Sequence, residues 1–241
     1  MLQFLWMNSI CSYSKGEWRC RLDSSDGGSL CCLHDSYFEN QVEILQNLVL
    51  LSELDETQLM GYLLHNLDLS SHSSIKFSNK QFHYGSWSQS KFKSTFFTDC
   101  TFHNLLFEAI NLDRCVFEEF YIKNCEFYDL HDSASNWIRG SLENVKSTSH
   151  KFYLEGSKIK NCLMSNCEWQ NLHIFNCELQ EVYFADCSIQ EGYFSHCNFT
   201  DCKFKGNIGI MVLEDCNLTN CEFDNSENDF LVSKLNCKIY T

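Results

Sequence analysis

Residues 162–204 read CLMSNCEWQNLHIFNCELQEVYFADCSIQEGYFSHCNFTDCKF, and their large apolar residues recur every five positions. These are Met164, Trp169, Ile174, Leu179, Phe184, Ile189, Phe194, Phe199 and Phe204. Two places before each lies a second, mostly smaller residue: Cys162, Cys167, Leu172, Cys177, Val182, Cys187, Gly192, Cys197 and Cys202. The positions between are mostly polar or charged. A helix would repeat its apolar face every 3.6 residues and a strand every 2, so neither accounts for a period of five. A fixed period held this long is the mark of a repeat architecture.

The pattern extends in both directions. It begins near Leu67 and continues through Phe77, Phe82, Trp87, Phe92, Phe97, Phe102, Phe107, Leu112, Phe117, Ile122 and Phe127. Lys80, His72 and Asp132 fall where apolar residues are expected. A buried unpaired carboxylate costs several kcal/mol, so the spacing predicts either a bulge at Asp132 or an outward side chain. Trp137 with Ser135 and Leu142 with Gly140 each set a large residue opposite a small one. The register then fails through Glu143–Ser157, where Ser147 and His150 occupy core positions, and resumes at Ile159. A second slip follows Phe204, through Gly206–Gly209, before Met211 and Leu213, Cys216 and Leu218, and Cys221 and Phe223. Both slips read as loops projecting from a regular body, where binding function tends to sit.

Three segments result: 1–66, 67–223 and 224–241. The first begins irregularly, with Trp6, Trp18 and four cysteines before residue 38. Cys20, Cys31, Cys32 and His34 lack the paired spacing of a structural zinc site, so no metal or other cofactor is expected. These residues either pack onto the end of the repeat or remain partly disordered. Val42, Leu45, Leu48 and Val49 lie at helical spacing. Asp55 and Glu56 then open a second apolar run, Leu59, Met60, Leu63 and Leu64. The expectation is a pair of short helices capping the repeat, since an open terminal coil exposes core and strand edges. The tail carries Phe230, Leu231, Leu235 and Ile239, enough for a second cap or a homodimer contact.

Composition narrows the function. The chain holds 20 Phe, 16 Cys and no Pro among 241 residues, with a formal net charge of −14. Direct binding to nucleic acid is not expected of so acidic a chain, because it needs Lys and Arg to neutralise phosphates. No apolar run approaches the ~18 residues of a membrane helix, and the N-terminal stretch lacks the marks of an export signal. A cytoplasmic location is the expectation. Most cysteines share one place in the repeat, where they serve as small buried hydrophobes with raised pKa values, not as disulfides. No phosphate-binding glycine loop occurs, and His131, Asp132 and Ser133 are merely adjacent, which is not how a catalytic triad is built. An enzyme is not expected.

Charge on the outer positions is uneven. From Asn161 to Cys202 there is no Lys or Arg, but there are Glu168, Glu178, Glu181, Asp186, Glu191 and Asp201. These six form the candidate partner-binding surface. The earlier part of the repeat carries Lys76, Lys80, Lys91 and Lys93, and the acids occupy several outer positions of the repeat instead of one.

The triplets Cys125-Glu126-Phe127, Cys197-Asn198-Phe199, Cys202-Lys203-Phe204, Cys216-Asn217-Leu218 and Cys221-Glu222-Phe223 resemble the core of pentapeptide repeats. The resemblance covers about Leu67 to Phe223. It implies an all-β solenoid: a right-handed quadrilateral parallel β-helix, five residues to a side and twenty to a coil. About eight coils at ~4.8 Å spacing give a rod on the order of 40 Å long. Cys167 would stack on Cys187, and Cys177 on Cys197. The family implies a non-enzymatic scaffold presenting its surface to a protein partner. Some members mimic DNA and occupy type II topoisomerases, protecting against quinolones or toxins. Others are bacterial effectors secreted into a host cell, where a host protein would be the partner.

Overall fold

The computed structural model describes residues 12–15, 18–19, 31, 33–34, 41–53, 58–65, 67–69, 75–206, 208–223 and 231–240. Its body is an all-β parallel solenoid of about 8 turns, accompanied by one helix, α1 (Gln41–Glu53). Each turn carries four strand positions, and each position pairs in parallel with its counterpart one coil away. On the first face Phe77 pairs Phe97, then Phe117 and Trp137 follow. On the second, Phe82 pairs Phe102, followed by Ile122 and Leu142. The third stacks Trp87, Phe107 and Phe127, and the fourth stacks Phe92, Leu112 and Asp132.

The turn between faces explains the period. From Asn79 to Asn144 every fifth residue is left-handed, beginning with Asn79, Tyr84, Gln89, Ser94, Asp99 and Asn104 at φ of 53, 56, 49, 50, 53 and 55 degrees. A left-handed residue bends an extended chain sharply, so each short strand is followed by a corner. Such a conformation costs roughly 1–2 kcal/mol for most L-residues and least for Asn and Asp, which recur at these sites. The corner amides are satisfied along the rod: Asn79 N donates to Thr98 O at 3.0 Å and Phe96 N to Ile75 O at 2.9 Å.

With the corners set, the central residue and the one two before it face inward. Phe184, Ile189 and Phe194 are wholly buried, as are Cys187, Cys197 and Cys202, while Met164 retains 5% exposure. Trp169, Leu179, Phe199, Phe204, Cys162, Cys167 and Cys177 are buried with them. Rings stack between coils, with Phe77–Phe97 centroids 5.3 Å apart, Phe97–Phe117 4.9 Å and Phe117–Trp137 4.2 Å. Large and small residues compensate across coils. Phe120 stands in a place usually held by a small residue, and its ring fills the volume that a side chain at Gly140 would need.

Several sequence expectations are corrected. Leu59, Met60, Leu63 and Leu64 are not helical; they form strands Gln58–Met60 and Leu63–His65, which pair with the Phe82 and Trp87 strands. Leu59, Leu64 and Leu69 are themselves spaced in fives, and Leu67 is the inward partner of Leu69. A short apolar run reads equally well at either period. The repeat thus starts before Leu67, and among the described residues one helix precedes it in place of two. Asp55, Glu56 and His72 lie outside the described residues. Lys80 keeps its inward place at 3% exposure. Cys31 and His34 pack at the start of the solenoid, where His34 Nε2 lies 2.8 Å from Met60 O and its ring stacks on Tyr13 at 3.9 Å.

Neither slip is a projecting loop. The first is a bulge inside strand Lys146–Glu155, where pairing with strand Glu168–Phe175 shifts between Ser147 and Lys151. Ser147 stays inward at 1% exposure. At the second, strand Ile208–Glu214 pairs directly with Ile189–Ser195, Ile189 opposite Ile208 and Phe194 opposite Leu213, one residue short of a full coil. The tail continues the ladder as strands Leu231–Leu235 and Lys238–Tyr240, which pair with the preceding coil.

Asp132 neither bulges nor turns outward. It is wholly buried at a central position of the fourth face, between Leu112 and Leu154. Its Oδ2 accepts from Trp137 Nε1 at 3.1 Å and Ser157 Oγ at 2.7 Å, while Oδ1 has no hydrogen-bond partner. Two donors hold the carboxyl inside a site that sterics alone would give to a leucine.

Two tests follow from this packing. Phe184→Asp should abolish the cooperative unfolding transition, whereas Ser188→Asp, on the partly exposed outer side, should leave the melting curve near that of the parent. Ala109→Gly, at a left-handed corner with φ of 50 degrees, should stabilise by about 0.5–1 kcal/mol in denaturant melts. Ala185→Gly, within a strand, should cost a similar amount.

Candidate functional site

The six acids occupy the outside of the coil, and pleat and corner decide where each points. Glu168 precedes Trp169 on the third face and Glu178 precedes Leu179 on the first, so the two lie on opposite sides. Glu181 and Asp201 stand at the corner between the first and second faces, one coil apart, both left-handed with φ of 54 and 53 degrees. Asp186 takes the corner between the second and third faces, and Glu191 the one between the third and fourth. Glu181 and Asp201 alone of the six share a corner, which also carries Asp99, Glu119 and Arg139, the last ion-paired with Glu119 at 3.1 Å.

The stretch that holds the acids has no base of its own, but bases reach it from the coil before. Lys146 Nζ lies 3.2 Å from Glu168 Oε1, and Lys158 Nζ lies 3.0 Å from Glu178 Oε2. All four side chains are about half exposed or more, so each pair contributes little to stability. Their effect is on the field: the two acids on flat faces are compensated, and those at corners have no base paired with them. Asp201 accepts a hydrogen bond from Asn220 Nδ2 at 3.2 Å and Glu181 from Gln180 Nε2 at 3.2 Å. Neighbours on this surface stand one coil apart, which is 20 residues for Lys158–Glu178 but 22 for Lys146–Glu168, so a spacing of twenty signals only the first.

The thiols face the other way. Cys100 Sγ donates to Phe77 O and to Thr98 O, both at 3.4 Å, and Cys125, Cys162 and Cys202 make the same paired contacts. A small side chain with a weak donor therefore fits under the carbonyl of the preceding coil. Burial pushes the thiols of Cys100, Cys125 and Cys162 up to about 11 and those of Cys115 and Cys177 up to about 12. The described cysteines are all free, and Cys167 lies against Cys187 in hydrogen-bond contact. In the pairs Cys167–Cys187, Cys197–Cys216 and Cys202–Cys221, a thiol bond between coils holds the first member protonated and favours thiolate at the second. A column of uniformly raised thiols is thus corrected at Cys187, Cys216 and Cys221, where this bond acts against burial.

The letters His131-Asp132-Ser133 are separated by strand alternation. His131 stacks outward on Tyr153 at 4.7 Å, Asp132 points into the core, and Ser133 Oγ donates to Asp113 Oδ1 at 3.5 Å. The sequence reading missed what His131 begins. An outer ladder of rings climbs the fourth face, Tyr153 to Phe175 at 5.1 Å and Phe175 to Tyr193 at 5.4 Å, with His173 beside it. Among the described residues, no group of three or more His, Cys, Asp and Glu is placed to hold a metal ion. No helix of these residues is long and apolar enough to cross a membrane.

A solenoid with four strand positions per coil, an inward pair in every five residues and a left-handed corner between faces defines the class of pentapeptide-repeat solenoids. The family model described as pentapeptide repeats (8 copies) matches residues 177–206, within the stretch of most regular spacing. Among solved structures the chain is similar to HetL, a pentapeptide repeat protein involved in heterocyst differentiation regulation from the cyanobacterium Nostoc sp. strain PCC 7120. The identity is 11%, with 84% of this chain and 94% of HetL covered and a TM-score of 0.44. It is also similar to QnrB1, a plasmid-mediated fluoroquinolone resistance protein, in a trypsin-treated form. There the identity is 15%, the coverage 75% of this chain and 90% of the other, and the TM-score 0.36. No curated protein matches the chain.

The thiol chemistry yields a direct check. With an aromatic disulfide reagent at pH 8, Cys221 and Cys237, which are only partly buried, should label in the native protein. Cys115, Cys125 and Cys177 should label only on unfolding. Peptide mapping by mass spectrometry reads the order, and equal labelling of all five would contradict the sealed column.

Proposed function

We propose that the protein is a non-enzymatic scaffold that presents the outside of its β-helical rod to a protein partner. The observation that carries this is the division of the coil. The nucleophile-bearing side chains of the column are turned into a packed core, and the outer positions vary freely in charge over a backbone of constant geometry. Such a surface is suited to recognition along its length. The finer geometry belongs to the same proposal. The coil is right-handed, as parallel strand connections almost always are, and its cross-section is quadrilateral. Helix α1, whose Ile44 and Leu48 are buried in the common core, caps the first coil.

A second reading is favoured by the corner that carries Asp99, Glu119, Glu181 and Asp201: the rod imitates the phosphate backbone of DNA and protects a type II topoisomerase. Acids one coil apart on a corner stand at the ~4.8 Å strand spacing, which approaches the charge spacing of a nucleic-acid strand. The compensated pairs Lys146–Glu168 and Lys158–Glu178 reduce that likeness on the flat faces, and Arg139 beside Glu119 reduces it on the corner, leaving Asp99, Glu181 and Asp201 to carry it. A third reading, a bacterial effector acting on a host protein, would place an export signal in the first forty residues, most of which lie outside the described residues. In this proposal the protein works in the cytoplasm unless it is such an effector.

Competition distinguishes the first two. If the rod mimics DNA, the purified protein displaces duplex DNA from gyrase at sub-micromolar concentration. Asp99, Glu181 and Asp201 all changed to Lys should then abolish displacement without changing the melting temperature. Absence of displacement by the parent protein ends the topoisomerase reading and leaves the scaffold.

A further inference from the structure

Polar residues at inward places fall in two groups, Lys80, Ser90 and Thr95 in an early coil and a second group in the middle of the rod that includes the buried carboxylate. Asp132, Ser135, Ser147 and Ser157 are each at most 1% exposed, and they fall within about one turn of the rod. In the coils on either side the same places hold Leu112 and Leu154, Cys115 and Cys177, and Phe127 and Trp169. The same turn contains Gly140, and the bulge of strand Lys146–Glu155 follows directly. Below it lies a block of stacked phenylalanines, and above it the regular stretch with its cysteine columns.

A polar chain crosses this turn. Cys115 N donates to Ser135 Oγ at 3.0 Å, Ser135 N to Ser157 Oγ at 3.2 Å, and Ser157 N to Cys177 Sγ at 3.3 Å. Ser157 Oγ in turn donates to Asp132 Oδ2. An ionised carboxylate accepts at several lone pairs, but Asp132 has partners on Oδ2 only, and Oδ1 is sealed from solvent without one. The neutral acid is the less costly occupant of such a place. A solenoid is held by contacts between adjacent coils, so a weak coil in the middle can divide one cooperative stack into two.

We propose that this turn is a proton-controlled seam. With Asp132 protonated the rod unfolds as one stack; with Asp132 ionised the seam opens locally and uncouples the phenylalanine-rich half from the cysteine-rich half. Burial pushes the Asp132 carboxyl above the usual carboxylate range, against the pull of its donors Ser157 and Trp137 and of the nearby Ser135. The titratable groups that face it are His131 on its own strand, Cys115 from the preceding coil and Cys177 from the following one. Both thiols are themselves held neutral by burial, so His131 is left as the group whose charge could favour the carboxylate. The closed seam binds the proton more tightly than the open one. Its opening constant therefore rises with pH from the ordinary carboxylate range upward, by up to about tenfold per pH unit, and levels off once the closed form ionises.

Amide hydrogen exchange on the full chain between pH 5 and 8, normalised for the intrinsic rate of each amide, tests this. Opening of peptides within 130–160 should increase with pH in the parent, and peptides within 177–204 should not follow. Asp132→Asn should remove the pH dependence of the seam, and Asp132→Leu should remove it and lower the opening constant at pH 8. An unchanged slope in Asp132→Asn, or the same slope along the whole rod, overturns the proposal. So does a failure of both variants to fold, since the carboxylate would then be a support of the coil and not its weak point.

Discussion

Every coil of this protein depends on hydrogen bonds that run along the rod and not within the strand that makes them. Thr101 N reaches Lys80 O at 2.8 Å and Glu126 N reaches Leu105 O at 3.0 Å, each on the neighbouring coil. A single turn in isolation would leave these groups unpaired and would hold its left-handed corners with nothing in return. The fold therefore exists only as a stack. Its other properties follow from that constraint: the demand for corner residues that tolerate positive φ, the repetition of inward pairs, and the freedom of everything that points outward.

Within the stack, residue type is sorted by column. Aromatic residues dominate the early coils, where rings lie face to face from Phe77 to Trp137 and from Phe107 to Phe127. Cysteines take the smaller inward place in the later coils, beneath carbonyls that their thiols can reach. The two solutions fill the same cross-section with different volumes. Phe120 against Gly140 shows how tightly one place is traded for another, because the ring occupies the space that a β-carbon there would need.

The regular part of this arrangement was legible in the sequence because a period of five has no competitor among helices and strands. Phe184 and Cys187 could be placed inside from spacing alone. The reading failed where the same residues fit two periods, as at Leu59 and Leu64. It failed also at Ser147 and Asp132, because a polar residue at an inward position was assumed to leave it. At Asp132 the donors that retain it, Trp137 and Ser157, are five and 25 residues away, and only the coil geometry joins them. The acids were identified as surface residues, but their grouping was not. Which of them meet, and which meet Lys146 or Lys158, depends on the face that each coil assigns, and slips of one or two residues move that assignment.

Those slips have a wider consequence. Where strand Ile208–Glu214 pairs one residue short of a full coil, the inward columns remain in line and the sequence count alone changes. The bulge between Ser147 and Lys151 does the same with extra residues. Inside the rod, position is counted in coils; along the chain, it is counted in residues, and the two counts need not agree. Insertions and deletions at a corner are thus absorbed within one turn, and the surface on either side can change its composition without renegotiating the core beneath it.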